Sequence, residues 1–351
     1  MQRVFDGHND ALLRLWRAGD HHGRRFLEGD GEGHLDLPRA REGGFMGGFF
    51  AVFAPAEPRP GRAEAEGPEG GVEDKPPIGP LDPGFARRAS LEMAAILLRM
   101  SRARPDAIRL CRSAAEIEAA ERAGALAAIL HLEGAEAIGP DLGELEVLHA
   151  AGLRSLGPVW SRPNIFGTGV PFRFPGDPDA GAGLTAAGRA LVAECGRLGI
   201  MIDLSHMNAA GVREIARLTG APLVATHSNV HALSPAARNL TDAQLSAIAE
   251  TGGVVGLNYA TPFLREDGRR VSDTPLAVLI RHLDHLLERL GEGGVALGSD
   301  FDGALIPREI GNASGLQTLV GAMRRAGYGA ALVDRICRRN WIDLLRRTLG
   351  G

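Results

Sequence analysis

The feature that most constrains the fold is a regular alternation of short β-type runs with longer amphipathic segments. Segments such as 184–199 and 274–291 carry apolar residues at three- and four-residue spacing and end at glycine, as surface helices do. A repeated strand-and-helix order predicts parallel strands. The β-type runs that we identify lie at residues 4–6, 47–54, 125–134, 154–160, 199–206, 222–229, 252–260 and 294–303.

Eight strands separated by helices predict an α/β fold of the (β/α)8 TIM-barrel type, with residues 1–351 forming one domain. A doubly wound open sheet is the structural alternative. No GxGxxG motif follows the first strand, so a dinucleotide site has no support in the sequence. We therefore favour the barrel.

Two irregular stretches follow strands on the predicted functional face of the barrel. Residues 55–85 are rich in Pro, Gly and acidic residues, and we expect a long loop that is either a lid or a tolerated surface insertion. The second stretch, residues 162–183, carries Phe166, Phe172 and Phe174. We expect this stretch to form a pocket wall, with a self-packed surface loop as the alternative.

Charge and cysteine content exclude several classes of protein. The net charge of −4 gives no basic surplus for nucleic acid or an anionic membrane. Cys111, Cys195 and Cys337 are widely spaced without a CxxC motif, so we expect buried apolar side chains and no disulfide framework or thiolate metal site. Because we find no apolar leader and no bilayer-length apolar run, we expect a cytoplasmic protein.

Polar residues of metal-ligand type close five of the predicted strands, where a barrel places its functional side chains. In chain order they are His8, Asp10, Glu133, His206, His227, Asp300 and Asp302. Side chains two apart on a strand share a face, so His8 and Asp10 project together, with Asp6 one layer below. Taken singly, each has a plainer explanation: Asp10 or Asn9 as a helix cap, or a histidine bonded within the core. Agreement among five strands predicts a common metal site.

The donor set suits Zn²⁺ or a similar divalent ion. A carboxylate such as Glu133 can bridge two cations, which leaves His8 and Asp10 for one and two histidines for the other. A water held between the ions would be acidified to hydroxide and would attack a carbonyl carbon. Asp300 would take and relay the proton. The predicted reaction class is amide hydrolysis.

Six motifs, in order, resemble those of the membrane (renal-type) dipeptidases, peptidase family M19, which are amidohydrolase-like metal-dependent hydrolases. They are "DGHND", "EGAEAIG", "IDLSH", "THSN", "RNLTD" and "GSDFDG", and they cover nearly the whole chain. The resemblance implies two zinc ions. His8 and Asp10 would bind one, Glu133 would bridge, and His206 and His227 would bind the second.

The resemblance also implies roles outside the ligand set. Asp300 would be the carboxylate at the metal-bound water, and Arg238 in "ARNLTD" would grip the carboxylate of a small dipeptide with its planar fork. Taken alone, Arg238 would be read as a solvated charge. A homodimer is the assembly that the family suggests. The implied activity is zinc-dependent dipeptide hydrolysis.

One position departs from the family pattern. Renal-type members place a substrate-contacting histidine at the end of the fourth strand, where this chain has Trp160. A tryptophan offers one N–H donor and an apolar wall but cannot be protonated. A second hypothesis is therefore hydrolysis of another small amide, such as an N-acyl amino acid. A third is a non-catalytic metal-binding barrel, which would be signalled by a missing ligand or a missing Asp300, and neither is missing.

The other polar residues near the predicted strands receive structural expectations. His131 shares strand parity with Glu133 and should pack one layer deeper in the barrel. Asp203 has the opposite parity to His206 and should support the site by hydrogen bonding. His231 is a substrate-contact candidate. His282 and His285, on a helix, are expected on its solvated face, while His21, His22, His34 and His149 lie in polar or helical surroundings.

Overall fold

The computed structural model describes residues 1–56 and 68–349. Within these residues the strands are β1 (Val4–Asn9), β2 (Phe45–Phe53), β3 (Ile108–Leu110), β4 (Leu126–Glu133), β5 (Leu153–Gly157), β6 (Pro163–Asn164), β7 (Gly167–Thr168), β8 (Met201–Ile202), β9 (Val224–Ala225), β10 (Val254–Asn258) and β11 (Val295–Gly298). Each of the eight predicted β-type runs overlaps one of them.

Helices separate most of these strands. They are α1 (Ala11–Arg17), α2 (Arg24–Glu28), α3 (Leu37–Gly43), α4 (Pro83–Ala103), α5 (Ala114–Arg122), α6 (Gly143–Ala151), α7 (Ala186–Leu198), α8 (Ala209–Leu218), α9 (Asp242–Glu250), α10 (Thr261–Leu264), α11 (Leu276–Leu290), α12 (Leu316–Arg325), α13 (Ala330–Asp334) and α14 (Asn340–Leu349). A 3₁₀ turn (Ala313–Gly315) precedes α12, and a π-helical stretch (Arg335–Arg339) joins α13 to α14. None of the helices in the described part of the chain is long and apolar enough to cross a bilayer.

The strands form two parallel sheets, which confirms the predicted α/β class. The larger sheet has the order β1-β2-β4-β5-β8, with β3 beside the start of β4, and the smaller sheet has the order β11-β10-β9. Single parallel bridges join the edges of the two sheets, from Asn9 to Phe301 and from Asp203 to Val224. The carboxyl ends of the strands in both sheets therefore face the same region.

Three details differ from the sequence expectations. Strand β3 is only three residues long, too short to give a periodic signal. Helix α4 begins at Pro83, inside the predicted loop, because Asp82 accepts a hydrogen bond from the Phe85 amide and proline suits the first helical turn. Residues 57–67 of that predicted loop lie outside the described part of the chain. The hairpin of β6 and β7 lies within the second irregular stretch.

The core lies between the sheets and the helices, and the C-terminal helix contributes its largest side chain. Trp341 on α14 is fully buried, packs against Phe49 of β2 and donates its indole N–H to the Leu297 carbonyl at 2.9 Å. The three cysteines are buried and unpaired, as predicted. The last helix is therefore anchored among the strands that carry the site.

The strands approach most closely around the Thr226 carbonyl, which follows β9. A Cβ at Gly7, Gly256 or Gly298 would overlap this oxygen. These glycines come from β1, β10 and β11, so three strands depend on a missing side chain at this point. Only glycine fits at these three positions, because the strands lie so close to the Thr226 backbone.

We predict that Gly298→Ala lowers the free energy of unfolding by about 1–3 kcal/mol, because the added methyl group must displace backbone atoms in a packed interior. Gly196→Ala is the control: it lies inside α7, its Cβ would meet no atom within 4 Å, and alanine should raise helix stability by up to about 1 kcal/mol. Urea unfolding of both variants measures the difference. Equal effects would contradict the packing argument.

Candidate metal centre

His8 and Asp10 lie at the end of β1 with buried side chains, and the His8 Nε2 atom is 3.4 Å from Asp10 Oδ2. Asp10 precedes the first residue of α1, yet its side chain makes no capping hydrogen bond. The simple capping explanation for Asp10 is therefore wrong. One layer below, Asp6 accepts hydrogen bonds from the Ser299 amide at 2.7 Å and its hydroxyl at 2.9 Å, which ties β1 to the end of β11.

Glu133 is the centre of the cluster. Its Oε1 atom lies 2.9 Å from His206 Nε2, 3.4 Å from His227 Nε2 and 3.7 Å from His8 Nε2. Glu133 ends β4, which is paired with β2 on one side and β5 on the other, so the surrounding sheet fixes its position. One carboxylate oxygen thus faces three imidazole nitrogens from three other strand ends.

Asp300 completes a second group. Ligand atoms of His8, Asp10 and Asp300 lie within 4.8 Å of one another, as do those of His8, Glu133 and His227. Asp300 has a left-handed backbone, with φ of 59°, and its Oδ2 accepts a hydrogen bond from the Asn258 amide at 2.9 Å. Its Oδ1 and Asp10 Oδ2 crowd against Gly303, where a Cβ would overlap both oxygens.

The charges and donor atoms of this cluster fit divalent cations. The carboxylates of Asp10, Glu133 and Asp300 are buried or half-buried, and the buried Arg238 guanidinium interacts with those of Glu133 and Asp300. Within the described residues, both ring nitrogens of His8 and the Oδ1 atom of Asp10 are buried without a hydrogen-bond partner. Buried polar atoms are normally paired, so these atoms are arranged for a ligand that is not part of the polypeptide.

The pKa shifts follow from burial of charge in the same space. Burial raises the pKa of Glu133 to about 8 and raises that of Asp300. Burial holds the pKa values of His206 and His227 well below the ordinary range, so both rings are neutral. Burial also opposes the charge on His8, but the neighbouring Glu133 and Asp10 carboxylates raise its pKa to about 10. Neutral imidazoles beside crowded carboxylates are the donor set that binds Zn²⁺.

Arg238 lies directly beside the cluster. Its guanidinium donates to the Ser228 hydroxyl at 2.8 Å and to the His227 carbonyl at 2.9 Å, and it lies 3.3 Å from His206 Nε2. Its Nε–H is buried without a partner among the described residues. Burial lowers the pKa of Arg238 to about 10, which leaves it charged at neutral pH. The alternative of a solvated charge, which Arg238 would have if taken alone, is excluded by this burial.

Trp160 forms an aromatic wall on another side of the cluster. Its ring lies 5.7 Å from the His206 ring, 5.2 Å from Phe172 and 4.9 Å from Phe53, measured between centroids. Phe172 stacks on Phe263 at 6.0 Å. We call Trp160, Phe172 and Phe263 the aromatic wall. The expected pocket wall is thus present in part, although Phe166 is buried in the main core.

A buried ion pair supports the wall from behind. The Arg162 guanidinium lies 5.1 Å from the Phe53 ring and 5.0 Å from the Trp160 ring. Arg162 donates to Glu136 at 2.7 Å and to the Ala54 carbonyl at 2.6 Å, with both charged side chains buried. Between Trp160 and Arg162, Ser161 contacts His206 Nδ1 at 2.8 Å. One three-residue stretch therefore holds both the wall and a metal-ligand candidate.

The described part of the first predicted loop packs onto the aromatic wall. The Lys75 amide donates to the Phe172 carbonyl, and its ammonium group lies 5.0 Å from the Phe172 ring centroid. Glu73 pairs with Lys75 at 2.6 Å and with Arg270 at 3.0 Å. Ile78 packs against the apolar cluster that contains Phe172. Residues 68–78 therefore cover one side of the site.

Sequence expectations for the neighbouring polar residues have mixed outcomes. Asp302 is turned away from the cluster and pairs with Arg14 at 3.2 Å. His131 is buried one layer deeper and contacts Ser155, as expected. The His231 ring contacts the Gly176 carbonyl at 2.8 Å.

The prediction of a solvated His282 is wrong. This ring is buried, accepts from the Val230 amide at 3.2 Å and contacts the Leu264 carbonyl at 2.9 Å. Its position between Leu279 and Leu286 on the apolar face of α11 carried the signal for burial. His285 is partly buried and contacts Asp242 at 2.8 Å.

A family model for the membrane dipeptidases, peptidase family M19, matches residues 1–348. The chain belongs to this family. It is 53% identical to a crystal structure of a metallopeptidase called dipeptidase AC, with a TM-score of 0.93 and coverage of 100% of this chain and 99% of that one. It is also 53% identical to a metallopeptidase from Rhodobacter sphaeroides bound to a phosphinate mimic of the dipeptide L-Ala-D-Ala, with a TM-score of 0.93 and 99% coverage of both chains.

A protein of the pqqA 5′ region of Klebsiella pneumoniae is 47% identical over 255 residues, which are 73% of this chain and 94% of that protein. The M19 assignment confirms the resemblance predicted from the six motifs. It makes the chain a metal-dependent hydrolase of the dipeptidase family. The predicted side chains that the structure brings together are His8, Asp10, Glu133, His206, His227, Arg238, Trp160 and Asp300.

Sequence reasoning missed Asn258 in the M19 site. This residue ends β10, the seventh of the predicted strands, and donates to Asp300. Its own carbonyl oxygen Oδ1 accepts from the Ala260 amide at 2.6 Å, which fixes the NH₂ group toward Asp300. Its place at the end of a strand was the available signal. An amide is not a usual zinc ligand, so the search for ligands passed over it.

We predict that Glu136→Gln lowers the free energy of unfolding by about 3 kcal/mol, because the buried Arg162 charge would lose its counterion. The control is Glu146→Gln, which removes an exposed partner of Arg197 and should cost less than about 1 kcal/mol. Chemical denaturation of the two variants tests this difference. A loss at Glu136 no larger than that at Glu146 would refute the structural role of the buried pair.

Proposed function

We propose that this M19 protein is a zinc-dependent dipeptidase that binds two ions. The observation that carries the proposal is the shared Glu133 Oε1 atom, which faces His206 and His227 on one side and His8 on the other. His8 and Asp10 would hold one ion, His206 and His227 the other, and Glu133 both. Bound zinc would supply Lewis acidity that activates water and neutralises negative charge developing on a carbonyl oxygen.

Arg238 would bind the carboxylate of the substrate. It is anchored by Ser228 and the His227 backbone, so its guanidinium does not need to be ordered when substrate arrives. A guanidinium has five N–H donors, and the partnerless Nε–H is available for an incoming carboxylate. This placement would set the distance between the terminal carboxylate and the bond that is cleaved.

Asp300 would hold and transfer the proton. Asn258 binds its Oδ2 atom, while Oδ1 lies on the side of Asp10. A carboxylate fixed by one oxygen keeps the other oriented for proton transfer. The aromatic wall beside His206 would exclude water from the substrate side chain.

The same proposal includes the finer architecture. We propose that the two sheets close into one (β/α)8 barrel and that residues 1–351 form one domain. The Asn9 to Phe301 and Asp203 to Val224 bridges support closure, because each joins an edge of the larger sheet to an edge of the smaller. Closure would bring the strand ends around a common axis.

The dipeptide is the favoured substrate because the metallopeptidase from Rhodobacter sphaeroides, at 53% identity, is bound to a mimic of L-Ala-D-Ala. Hydrolysis of N-acyl amino acids is the second candidate. The observation in its favour is Trp160, whose ring lies beside His206 and adds apolar surface for an acyl group. Both substrate classes carry the carboxylate that Arg238 would bind.

The test is hydrolysis of a panel of L,L- and L,D-dipeptides and N-acyl amino acids by protein loaded with zinc. We expect dipeptide turnover that stops on chelation and returns with added zinc. Asp300→Asn should lower kcat by about 10²- to 10⁴-fold, the usual contribution of a general acid or base. Asp106→Asn, on the surface beside Arg104, is the control and should leave kcat unchanged.

Turnover of N-acyl amino acids alone would select the second candidate. Absence of turnover by fully metallated protein would refute both candidates.

A second test concerns Arg238. We expect Arg238→Lys to remove most of the preference for a dipeptide over its C-terminal amide, because lysine keeps the charge but loses the planar fork. The preference of the unmodified enzyme in kcat/KM should be about ten- to a hundredfold. Arg213→Lys, at an exposed ion pair, is the control. An unchanged preference in the Arg238 variant, with normal zinc content, would exclude carboxylate binding by this residue.

A further inference from the structure

A buried carboxylate and hydroxyl lie behind His227, on the side away from Glu133. Asp203 Oδ2 is 2.6 Å from the Thr226 hydroxyl, and that hydroxyl is 2.8 Å from His227 Nδ1. All three side chains are buried. The opposite ring nitrogen, Nε2, faces Glu133. The three groups therefore form a continuous chain that ends at a metal-ligand candidate.

The other oxygen of Asp203 is fully occupied by donors. Oδ1 accepts from the Ser205 amide at 3.0 Å, the Ser205 hydroxyl at 2.6 Å and the Thr226 amide at 2.9 Å. These hydrogen bonds prevent the carboxylate group from rotating. The Thr226 backbone is fixed as well, because its carbonyl packs against Gly7, Gly256 and Gly298. Neither group can turn away from the other without loss of several contacts.

A count of protons decides which ring nitrogen of His227 is protonated. A carboxylate can only accept hydrogen bonds, so the Thr226 hydroxyl donates its one proton to Asp203. The Ser205 hydroxyl, 3.2 Å from the Thr226 hydroxyl, gives its own proton to Asp203 Oδ1. The Thr226 oxygen therefore accepts from His227 Nδ1, which carries the ring proton. The neutral ring is left with a lone pair on Nε2, the nitrogen on the side of Glu133.

The opposite tautomer would be penalised by this arrangement. With the proton on Nε2, Thr226 would have to donate to Nδ1, and Asp203 Oδ2 would lose its donor. The nearest other donor, His131 Nε2, is 3.6 Å away, too far for a hydrogen bond. A buried carboxylate oxygen without a donor is costly.

The hydrogen bonds behind His206 fix the position of its ring proton less firmly. Its Nδ1 contacts the Ser161 hydroxyl at 2.8 Å, and no carboxylate accepts from that hydroxyl among the described residues. Ser161 can therefore act as donor or acceptor and does not select the His206 tautomer. The donor that faces His206 Nε2 is the Arg238 guanidinium, at the longer distance of 3.3 Å. The two histidines that face Glu133 differ in how firmly their ring protons are placed.

We propose that Asp203, acting through the Thr226 hydroxyl, is a positioning residue that holds His227 in the Nδ1–H tautomer ready to bind zinc. The proposal rests on the two-zinc site of the proposed function and assigns one of its ligands a dedicated support. Groups that orient a ligating imidazole typically contribute 10- to 100-fold to metal affinity. Ser161 should contribute less to His206.

Two substitutions test the hydrogen bonds that connect Asp203 to His227, one at Thr226 and one at Asp203. Thr226→Val keeps the shape but removes the hydroxyl. Asp203→Asn reverses the hydrogen bonds: its Oδ1 must still accept from two backbone amides, so its NH₂ group donates to Thr226. Thr226 is then free to donate to His227 Nδ1, which at 2.8 Å is closer than the Ser205 hydroxyl at 3.2 Å, and this moves the ring proton to Nε2. Thr226→Ser restores the hydroxyl, and Ser161→Ala is the matched control at the other histidine.

The first readout is zinc affinity, titrated against a competing chelating dye on the full chain. Thr226→Val and Asp203→Asn should each weaken one of the two sites by about 10- to 100-fold, Thr226→Ser should remain near the unsubstituted protein, and Ser161→Ala should lose less than Thr226→Val. Two sites of unchanged affinity in a folded Thr226→Val or Asp203→Asn protein would overturn the proposal. A Thr226→Ser loss as large as that of Thr226→Val would also overturn it.

The second readout is the His227 tautomer in zinc-free protein, measured by long-range ¹H–¹⁵N correlation of ¹⁵N-histidine samples. We expect Nδ1–H in the unsubstituted protein and Nε2–H in Asp203→Asn. An Nε2–H ring in the unsubstituted protein would overturn the proposal even if a variant failed to fold. Lack of dipeptide hydrolysis would instead count against the proposed function, because neither readout here depends on turnover.

Discussion

The site depends on one oxygen atom, Glu133 Oε1, and on the need to compensate its charge away from water. Three imidazole nitrogens lie within 3.7 Å of it, and each comes from a different strand end. A buried carboxylate is unfavourable unless cations or donors surround it. His206 and His227 are neutral, so within this group it is His8, with its raised pKa, together with a bound cation that would compensate the Glu133 charge.

The surrounding structure meets this requirement with packing and with hydrogen bonds behind the ligand candidates. Glycines from β1, β10 and β11 allow the Thr226 backbone to lie among the strands. Asp203 and Thr226 orient one imidazole, while Ser161 contacts the other. Asn258 fixes one oxygen of Asp300. The residues that carry the chemistry are thus placed by side chains that would not themselves touch a substrate.

The aromatic wall shows how the specificity side of the site is supported separately. Trp160 is held by the buried Arg162, whose charge is balanced by Glu136. Trp160 is therefore part of a packed unit, and its orientation is set by the ion pair behind it. The wall meets the ligand candidates at His206, and its Phe263 ring lies 6.0 Å from the Arg238 guanidinium.

The sequence by itself determined the eight strand-forming runs, the α/β class and the six candidates at strand ends, while Arg238 and Trp160 were singled out through the resemblance to M19. These features are local: strand periodicity and the chemical type of a strand-end residue can be read from a few neighbours. Only the tertiary structure decided the partners. Glu136 and Arg162 pair across 26 positions, Asn258 and Asp300 across 42, and His282 is buried against the Val230 amide and the Leu264 carbonyl. Such contacts depend on how segments far apart in the sequence fold together. A local sequence pattern does not show which distant segment will lie beside it.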